Sequence, residues 1–342
     1  MKLCDEMQIK GVNNQLIGKL HDPPLHLYKL KALMNRIPSH HPQYEKVKEQ
    51  MAMHNAGHFG EKSLEFPLSF LEEKQFMIYH DLRISDGLHH FQIDTLVISQ
   101  QYILIIEVKN ISGVLMFDPT FNQMIRISEM KEEAFPNPLI QVERQRTQLQ
   151  SFLSNLKLST IPIETLIVVS NRSTVLKATH EVNAITSKVI RSEYLPTKVK
   201  SLDKRHTQER LSIKEVRKLG RNLLKNHEPL DRDVLKRFSI SSTELLTGVA
   251  CPGCSLMPMK RLHGRWHCKY CCLYSKDAHV KALNEYALLV SKEITNQKLR
   301  EFLHIESISA ASKMLSSMNL ECQGTKKDRK YFLKVDHSKF GQ

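Results

Sequence analysis

Two apolar runs separated by a short polar break constrain this chain most: Gln92-Ile93-Asp94-Thr95-Leu96-Val97-Ile98, then Tyr102-Ile103-Leu104-Ile105-Ile106-Glu107-Val108-Lys109-Asn110. Residues 102–106 are bulky and apolar without interruption, which describes a strand covered on both faces. Such a strand should not run on into Glu107, Lys109 and Asn110. Strand side chains alternate, so Glu107 and Lys109 point to the same face. A turn at Ser99-Gln100-Gln101 makes the runs a hairpin and sets Asp94 beside Glu107. Charges at the edge of an apolar sheet are costly unless they pair or bind a cation. Two carboxylates for a hard divalent metal, with an ammonium beside them, suit phosphodiester hydrolysis. The plainer alternative is a cross-strand ion pair on a wet face.

The surrounding pattern predicts an α/β domain. A mixed-charge helix over 43–56 leads to Gly57 and a second helix through Leu71. Strands follow at 76–82, 92–98, 102–110, 114–117 and 124–127. A helix over 140–156 places Gln141, Gln145 and Gln148 on one side, and 164–169 reads as the closing buried strand. The order helix, strands, helix, strand predicts a sheet covered by helices. The first-turn acid Glu61 has a simple reading as a partner for the helix dipole, and Gln141 one as a polar residue on a wet face.

These residues, taken in order, resemble a known family. Gly57-His58-Phe59-Gly60-Glu61, Gln92-Ile93-Asp94, Glu107-Val108-Lys109-Asn110 with Gly113, then Asn137-Pro138 and Gln141…Gln145, are similar to the nuclease-related domain (NERD) of bacterial proteins. The Asp94…Glu107-Val108-Lys109 core resembles the D…ExK pattern of the restriction-endonuclease-like, PD-(D/E)xK nucleases. The resemblance covers about residues 50–175. It implies a restriction-endonuclease-like mixed sheet flanked by helices and a metal-dependent nuclease. Mg²⁺ (or Mn²⁺) would be held by Asp94 and Glu107, and the catalytic set would be Glu61, Asp94, Glu107, Lys109 and Gln141, with Glu61 against the metal and Gln141 lining the site. A fold retained for binding nucleic acid without cutting is the alternative.

The formal charge of +14 is unevenly spread. Residues 1–196 hold 21 Lys and Arg against 21 Asp and Glu, whereas residues 197–342 hold 29 against 15. An excess of that size suggests a phosphate-rich partner, with DNA expected beside a nuclease-like core. General solubility, or binding to an acidic protein or a membrane surface, is the competing reading. No apolar run approaches the ~20 residues that span a bilayer, and Met1-Lys2-Leu3-Cys4-Asp5-Glu6 carries no apolar signal core. A cytoplasmic protein without membrane contact is therefore expected. No P-loop or dinucleotide fingerprint appears, so no nucleotide-driven motor is expected.

Five of the seven cysteines lie between 251 and 272. Cys251-Pro252-Gly253-Cys254 and Cys268-Lys269-Tyr270-Cys271 form two C-x-x-C pairs with thirteen residues between them. Two tight turns that present four thiolates to one point suit structural Zn²⁺ in a zinc-ribbon-like module. Cys272 leaves the fourth ligand open. Beyond it, Thr295 and Ser307 are candidate helix caps. The segment around Gly324-Thr325-Lys326-Lys327-Asp328-Arg329 reads as a hairpin with a basic tip. Helix, helix, hairpin resembles part of a winged-helix fold, in which Lys326, Lys327 and Arg329 would touch phosphate. A small helical cap with a surface hairpin is the other reading. The sequence thus divides into an N-terminal helical segment (1–42), a nuclease-related domain (43–196), a basic helical connector (197–250), a zinc-ribbon-like module (251–280) and a helical tail with a basic hairpin (281–342).

Overall fold

The computed structural model describes residues 16–72, 75–158, 160–178, 182–325 and 328–335. The chain divides into two compact units. Unit 1 comprises residues 1–24 and 55–230, and unit 2 comprises residues 25–54 and 231–342. The sheet-bearing unit therefore includes residues 197–230, which the sequence alone suggests are a connector.

Unit 1 is built on a six-stranded mixed sheet. Strand β1 (Leu16–Lys19) precedes α1 (Leu25–Arg36), which belongs to unit 2, and α2 (Tyr44–Lys62), within which the division falls. After α3 (Glu65–Leu68) come β2 (Met77–Ser85), β3 (His90–Ile98) and β4 (Ile103–Lys109). A second, four-stranded sheet begins with β5 (Val114–Asp118), β6 (Gln123–Ser128) and β7 (Lys131–Pro136). Helix α4 (Pro138–Asn155) leads into β8 (Ile163–Val169), β9 (Val175–Ala178), α5 (Val182–Lys188) and β10 (Val189–Arg191). The large sheet has the order β1-β2-β3-β4-β8-β10, and the smaller one β7-β6-β5-β9. Strands β2, β3 and β4 are antiparallel, while β1 on β2, β4 on β8 and β8 on β10 are parallel.

Strand β4 is central, and its two faces explain its unbroken apolar run. Ile103 and Ile105 pack with Leu149, Phe152 and Leu153 of α4. Leu104, Ile106 and Val108 pack against Leu64 and Leu68, at the start and end of α3, and against α6 (Leu195–Arg205) through Val199 and Leu202. Helix α7 (Ile213–Lys225) starts at a capping box of Ser212 and Glu215 and buries Val216, Leu219 and Leu223 on the α4 side. Gly220 in α7 has a packing reason: a methyl there would overlap the Tyr79 hydroxyl. Both basic helices thus complete the sheet's two cores.

Two expectations change here. The helix expected to stop at Gly57 runs through it as part of α2, because an isolated helical glycine is tolerated and nothing lies near its Cβ position. Strand β7, Lys-Glu-Glu-Ala-Phe-Pro, has no sequence signature, because nearly all of it is exposed.

Unit 2 holds α1, the first part of α2, α8 (Val234–Arg237) and a small sheet of β11 (Lys260–Leu262), β12 (Arg265–His267) and β13 (Tyr274–Ser275). Then follow α9 (Ala278–Leu289), β14 (Glu293–Thr295), α10 (Asn296–Leu303), α11 (Ile308–Ser317), β15 (Glu321–Gln323) and β16 (Lys330–Phe332). Thr295 caps α10 by accepting from the Lys298 N–H, and Ser307 caps α11 by accepting from the Ala310 N–H. The last three strands pair in the order β14-β16-β15. One core joins the cysteine module to these helices. It contains Trp266, Cys251 and Cys268 with Leu283, Leu299, Phe302 and Leu315.

Candidate functional site

The β3–β4 ladder ends at Thr95 opposite Ile106. One step further, β4 continues on β8 to Lys109, while the Asp94 carboxylate accepts the Val108 N–H at 2.8 Å. Asp94, Glu107 and Lys109 thus gather where β3 leaves the ladder. By alternation Glu107 and Lys109 lie on the same face as Ile103 and Ile105, and α4 covers that face.

Glu107 is only 3% exposed. One oxygen accepts from Lys109 Nζ at 2.7 Å and the other from Gln145 Nε2 at 2.9 Å. Lys109 also donates to Gln141 Oε1 at 3.2 Å. Gln145 Nε2 in addition donates to the Gln92 carbonyl at 2.9 Å. Burial pushes the Asp94 carboxyl well above the usual range, and the Glu107 and Glu61 carboxylates push it further. The Lys109 charge and the Val108 N–H only partly oppose this. Three acids against one ammonium form an arrangement that a cation would relieve, and all the donors are hard oxygens of the kind Mg²⁺ takes. Among the described residues, no three His, Cys, Asp or Glu ligand atoms converge here as closely as the four cysteines do in unit 2. The acids therefore offer a pair plus a neighbour rather than a closed cage.

Glu61 reaches this region through a close helix–strand approach. A methyl on Gly60 would overlap Asn110 Cβ and crowd Ser170 Oγ. Asn110 Nδ2 donates to the Ala56 carbonyl at 2.7 Å, tying the end of β4 to α2. Glu61 Oε2 lies 3.1 Å from His21 Nε2, and the His21 ring lies 4.6 Å from that of His58 and 5.1 Å from that of His80. Burial, then His21 and Lys19, lowers the His80 pKa to about 3, so this ring is neutral. Asp81, with φ of 46°, accepts from Gln92 Nε2 and sits 3.9 Å from Lys19 Nζ. Its carboxyl is raised by burial. His21, Lys19, His80 and Asp81 carry no motif. The four-residue strand β1 pairs with β2 sixty-one positions away, beyond the reach of local spacing.

In unit 2, Sγ of Cys251 lies 3.5 Å from that of Cys271, and Sγ of Cys254 lies 3.6 Å from that of Cys268. All four fall within 4.8 Å of one another. Four thiolates at Zn–S bonds of ~2.3 Å in a tetrahedron sit roughly this far apart. The two turns repeat each other. The Ser255 N–H donates to the Cys251 carbonyl and the Cys272 N–H to the Cys268 carbonyl, and both donors have positive φ, at 60° and 58°. Cys272 is thus the counterpart of Ser255, a turn residue, and Cys271 completes the set. Backbone N–H groups of Cys271 and Tyr270 hold the Cys268 thiol down at about 6. Trp266 Nε1 donates to His279 Nδ1 at 3.2 Å, joining β12 to α9. Arg329 is exposed at the hairpin, whereas Lys326 and Lys327 lie outside the described residues.

Residues 56–170 match the model of the nuclease-related domain family. That span contains Glu61, Asp94, Glu107, Lys109, Gln141 and Gln145. No curated protein and no solved structure matches the chain. Among the described residues, no helix is long and apolar enough to cross a membrane.

Proposed function

We propose that unit 1 is a metal-dependent nuclease of the PD-(D/E)xK type that hydrolyses phosphodiester bonds in nucleic acid, most readily DNA. The observation that carries this reading is the pair of half-buried Asp94 and buried Glu107, with Lys109, at the point where β3 leaves β4. Asp94 and Glu107 would hold Mg²⁺ or Mn²⁺, with the Val108 carbonyl as a third donor and Glu61 as a supporting acid. The bound cation supplies charge neutralisation at the phosphate and lowers the pKa of water. Lys109, fixed between Glu107 and Gln141, orients the attacking water and faces the negative charge that develops on the phosphoryl oxygens. Gln145 fixes Glu107 from the other side. Incubation of the full chain with DNA and RNA, with Mg²⁺, Mn²⁺ or a chelator, tests this directly. Shortened DNA is expected only where a metal is present. Tight binding without cutting under every condition would instead favour a scaffold that keeps the fold.

Unit 2 holds 24 Lys and Arg against 13 Asp and Glu, while unit 1 holds 26 against 23, so most of the positive excess lies in unit 2. Its helix, strand, helix, helix, strand, strand order with sheet β14-β16-β15 supports a winged-helix reading, with α11 entering the major groove and the β15–β16 hairpin as the wing. The four cysteines would hold one structural Zn²⁺, which leaves no open position for chemistry. Two outcomes are expected. Elemental analysis of protein purified without chelators should find one zinc per chain, and Cys268→Ser should lose it together with the fold of the module. Neutralising Lys326, Lys327 and Arg329 together should weaken DNA binding and flatten its salt dependence, by up to about one unit of log–log slope per lost phosphate contact. Binding titrations at several salt concentrations read this, and an unchanged slope rejects the wing. The role of the basic region is tested by substitution rather than truncation at residue 197, because α6 and α7 carry core residues of unit 1.

A further inference from the structure

Beside the carboxylate pair, a cavity of about 640 Å³ opens between α4 and the turn joining β2 to β3. A cavity of this size is in the range of small-ligand sites. Gln141, Arg144, Gln145 and Gln148 line one wall at helical spacing, and Asp86 and His89 line the other. Gln141 and Gln145 also bond Lys109 and Glu107, so the cavity and the proposed catalytic site share two side chains.

Gln145 is the informative residue. It is 4% exposed, and its Nε2 donates to the Gln92 carbonyl and the Glu107 carboxylate. Both partners only accept, so the direction of the amide is fixed. Its Oε1 is buried and has no hydrogen-bond partner among the described residues. A buried acceptor left in that state calls for a donor from outside the chain. Gln141 presents the opposite need, since its oxygen is taken by Lys109 and its NH₂ group is left to donate. Gln148 donates to Asp86 at 3.1 Å and keeps its oxygen as an acceptor. The wall therefore offers a donor from Gln141 and an acceptor from Gln148, with the buried Gln145 acceptor beside them. A nucleobase edge carries donors and acceptors together, whereas a phosphate carries only acceptors. Arg144, exposed on the same helix, supplies a cation for the adjoining phosphate. The His89 and Leu88 N–H groups hold the Asp86 carboxyl below its usual range, so that end is anionic and phosphate avoids it.

A base inside a duplex is stacked and has its edge paired, so it enters a cavity only once released. We propose that this cavity receives an unpaired base of the strand being processed, which makes single-stranded or end-frayed nucleic acid the substrate class. The assignment rests on the nuclease reading of the neighbouring carboxylates.

The test is binding by the full chain in the presence of a chelator, so that nothing is cut. The probes are a short single strand carrying 2-aminopurine and the same sequence as a duplex. Arg144→Ala and Gln148→Leu are combined, because neither residue bonds to Asp94 or Glu107. The double variant should lose about tenfold in single-strand affinity, roughly the worth of one charge-assisted hydrogen bond, while duplex affinity stays unchanged. Equal losses on both probes, or none on either, overturn the proposal. Cleavage with Mg²⁺ separates the two readings. A wild type that cuts nothing but shows the single-strand-specific difference keeps the cavity and loses the nuclease. A wild type that cuts but shows no such difference does the reverse.

Discussion

Glu107→Gln should cut nucleic acid at least about a thousandfold more slowly than the wild type in Mg²⁺ or Mn²⁺, with the fold retained. The substitution keeps the size of the side chain but removes the charge that pairs with Lys109 and would hold the cation, and it turns one of the two accepting oxygens into a donor. Groups acting as a set lose most of their effect when one is removed. Lys109→Ala should act as strongly, because its ammonium is held by Glu107 and Gln141 at one position. Circular dichroism and thermal melts establish the fold, and gel assays of cleavage read the rate. Cutting at the wild-type rate by folded Glu107→Gln protein would remove the site from the proposed position.

The second large effect concerns the stability of unit 2. Arg36 and Glu285 are each 1% exposed and meet at 2.6 Å. Arg36 also donates to the carbonyls of Leu246 and Gly248 and lies 4.9 Å over the Phe302 ring. Asn35 donates to the second Glu285 oxygen at 2.8 Å. Replacing one partner leaves a buried charge uncompensated, so Arg36→Met should destabilise unit 2 by about 3–5 kcal/mol. Replacing both with apolar residues of similar volume should cost less than the single change. Denaturant melts of the two variants decide the matter, and a single variant as stable as the wild type would contradict it.

The strand pair was legible because its physics is local. An apolar run followed by charge has few solutions, and the serine-glutamine turn joins neighbouring runs; Ser99 Oγ receives the Gln101 and Tyr102 N–H groups. The cysteine pairs were legible for the same reason, but choosing between Cys271 and Cys272 needed the left-handed turn position that only the backbone reveals. Helix α9 was not legible as a helix of the tail. It buries Ala282, Leu283, Asn284, Glu285 and Tyr286 in succession, so no polar stripe marks it, and without it the sequence shows only part of a winged-helix order. The histidines around Glu61 depend on a short parallel strand whose partner lies far along the chain. Gln145 is marked in the sequence as one of several glutamines on a helix and by its place in the Gln141…Gln145 segment of the resemblance, with no role attached to it. Its importance comes from the partners of its Nε2 and from an Oε1 that accepts no hydrogen bond among the described residues.

The proposed nuclease stands on a catalytic cation held by Asp94 and Glu107. Calorimetric titration of Mn²⁺ into zinc-loaded wild type and Asp94→Asn, paired with cleavage at the same Mn²⁺ concentrations, decides whether it is there. The wild type should bind Mn²⁺ at a site beyond the zinc, cleave over the same concentration range and stop when chelator is added, and Asp94→Asn should do neither. Undiminished cleavage by the wild type in chelator, or wild-type Mn²⁺ affinity and cleavage in Asp94→Asn, would contradict it.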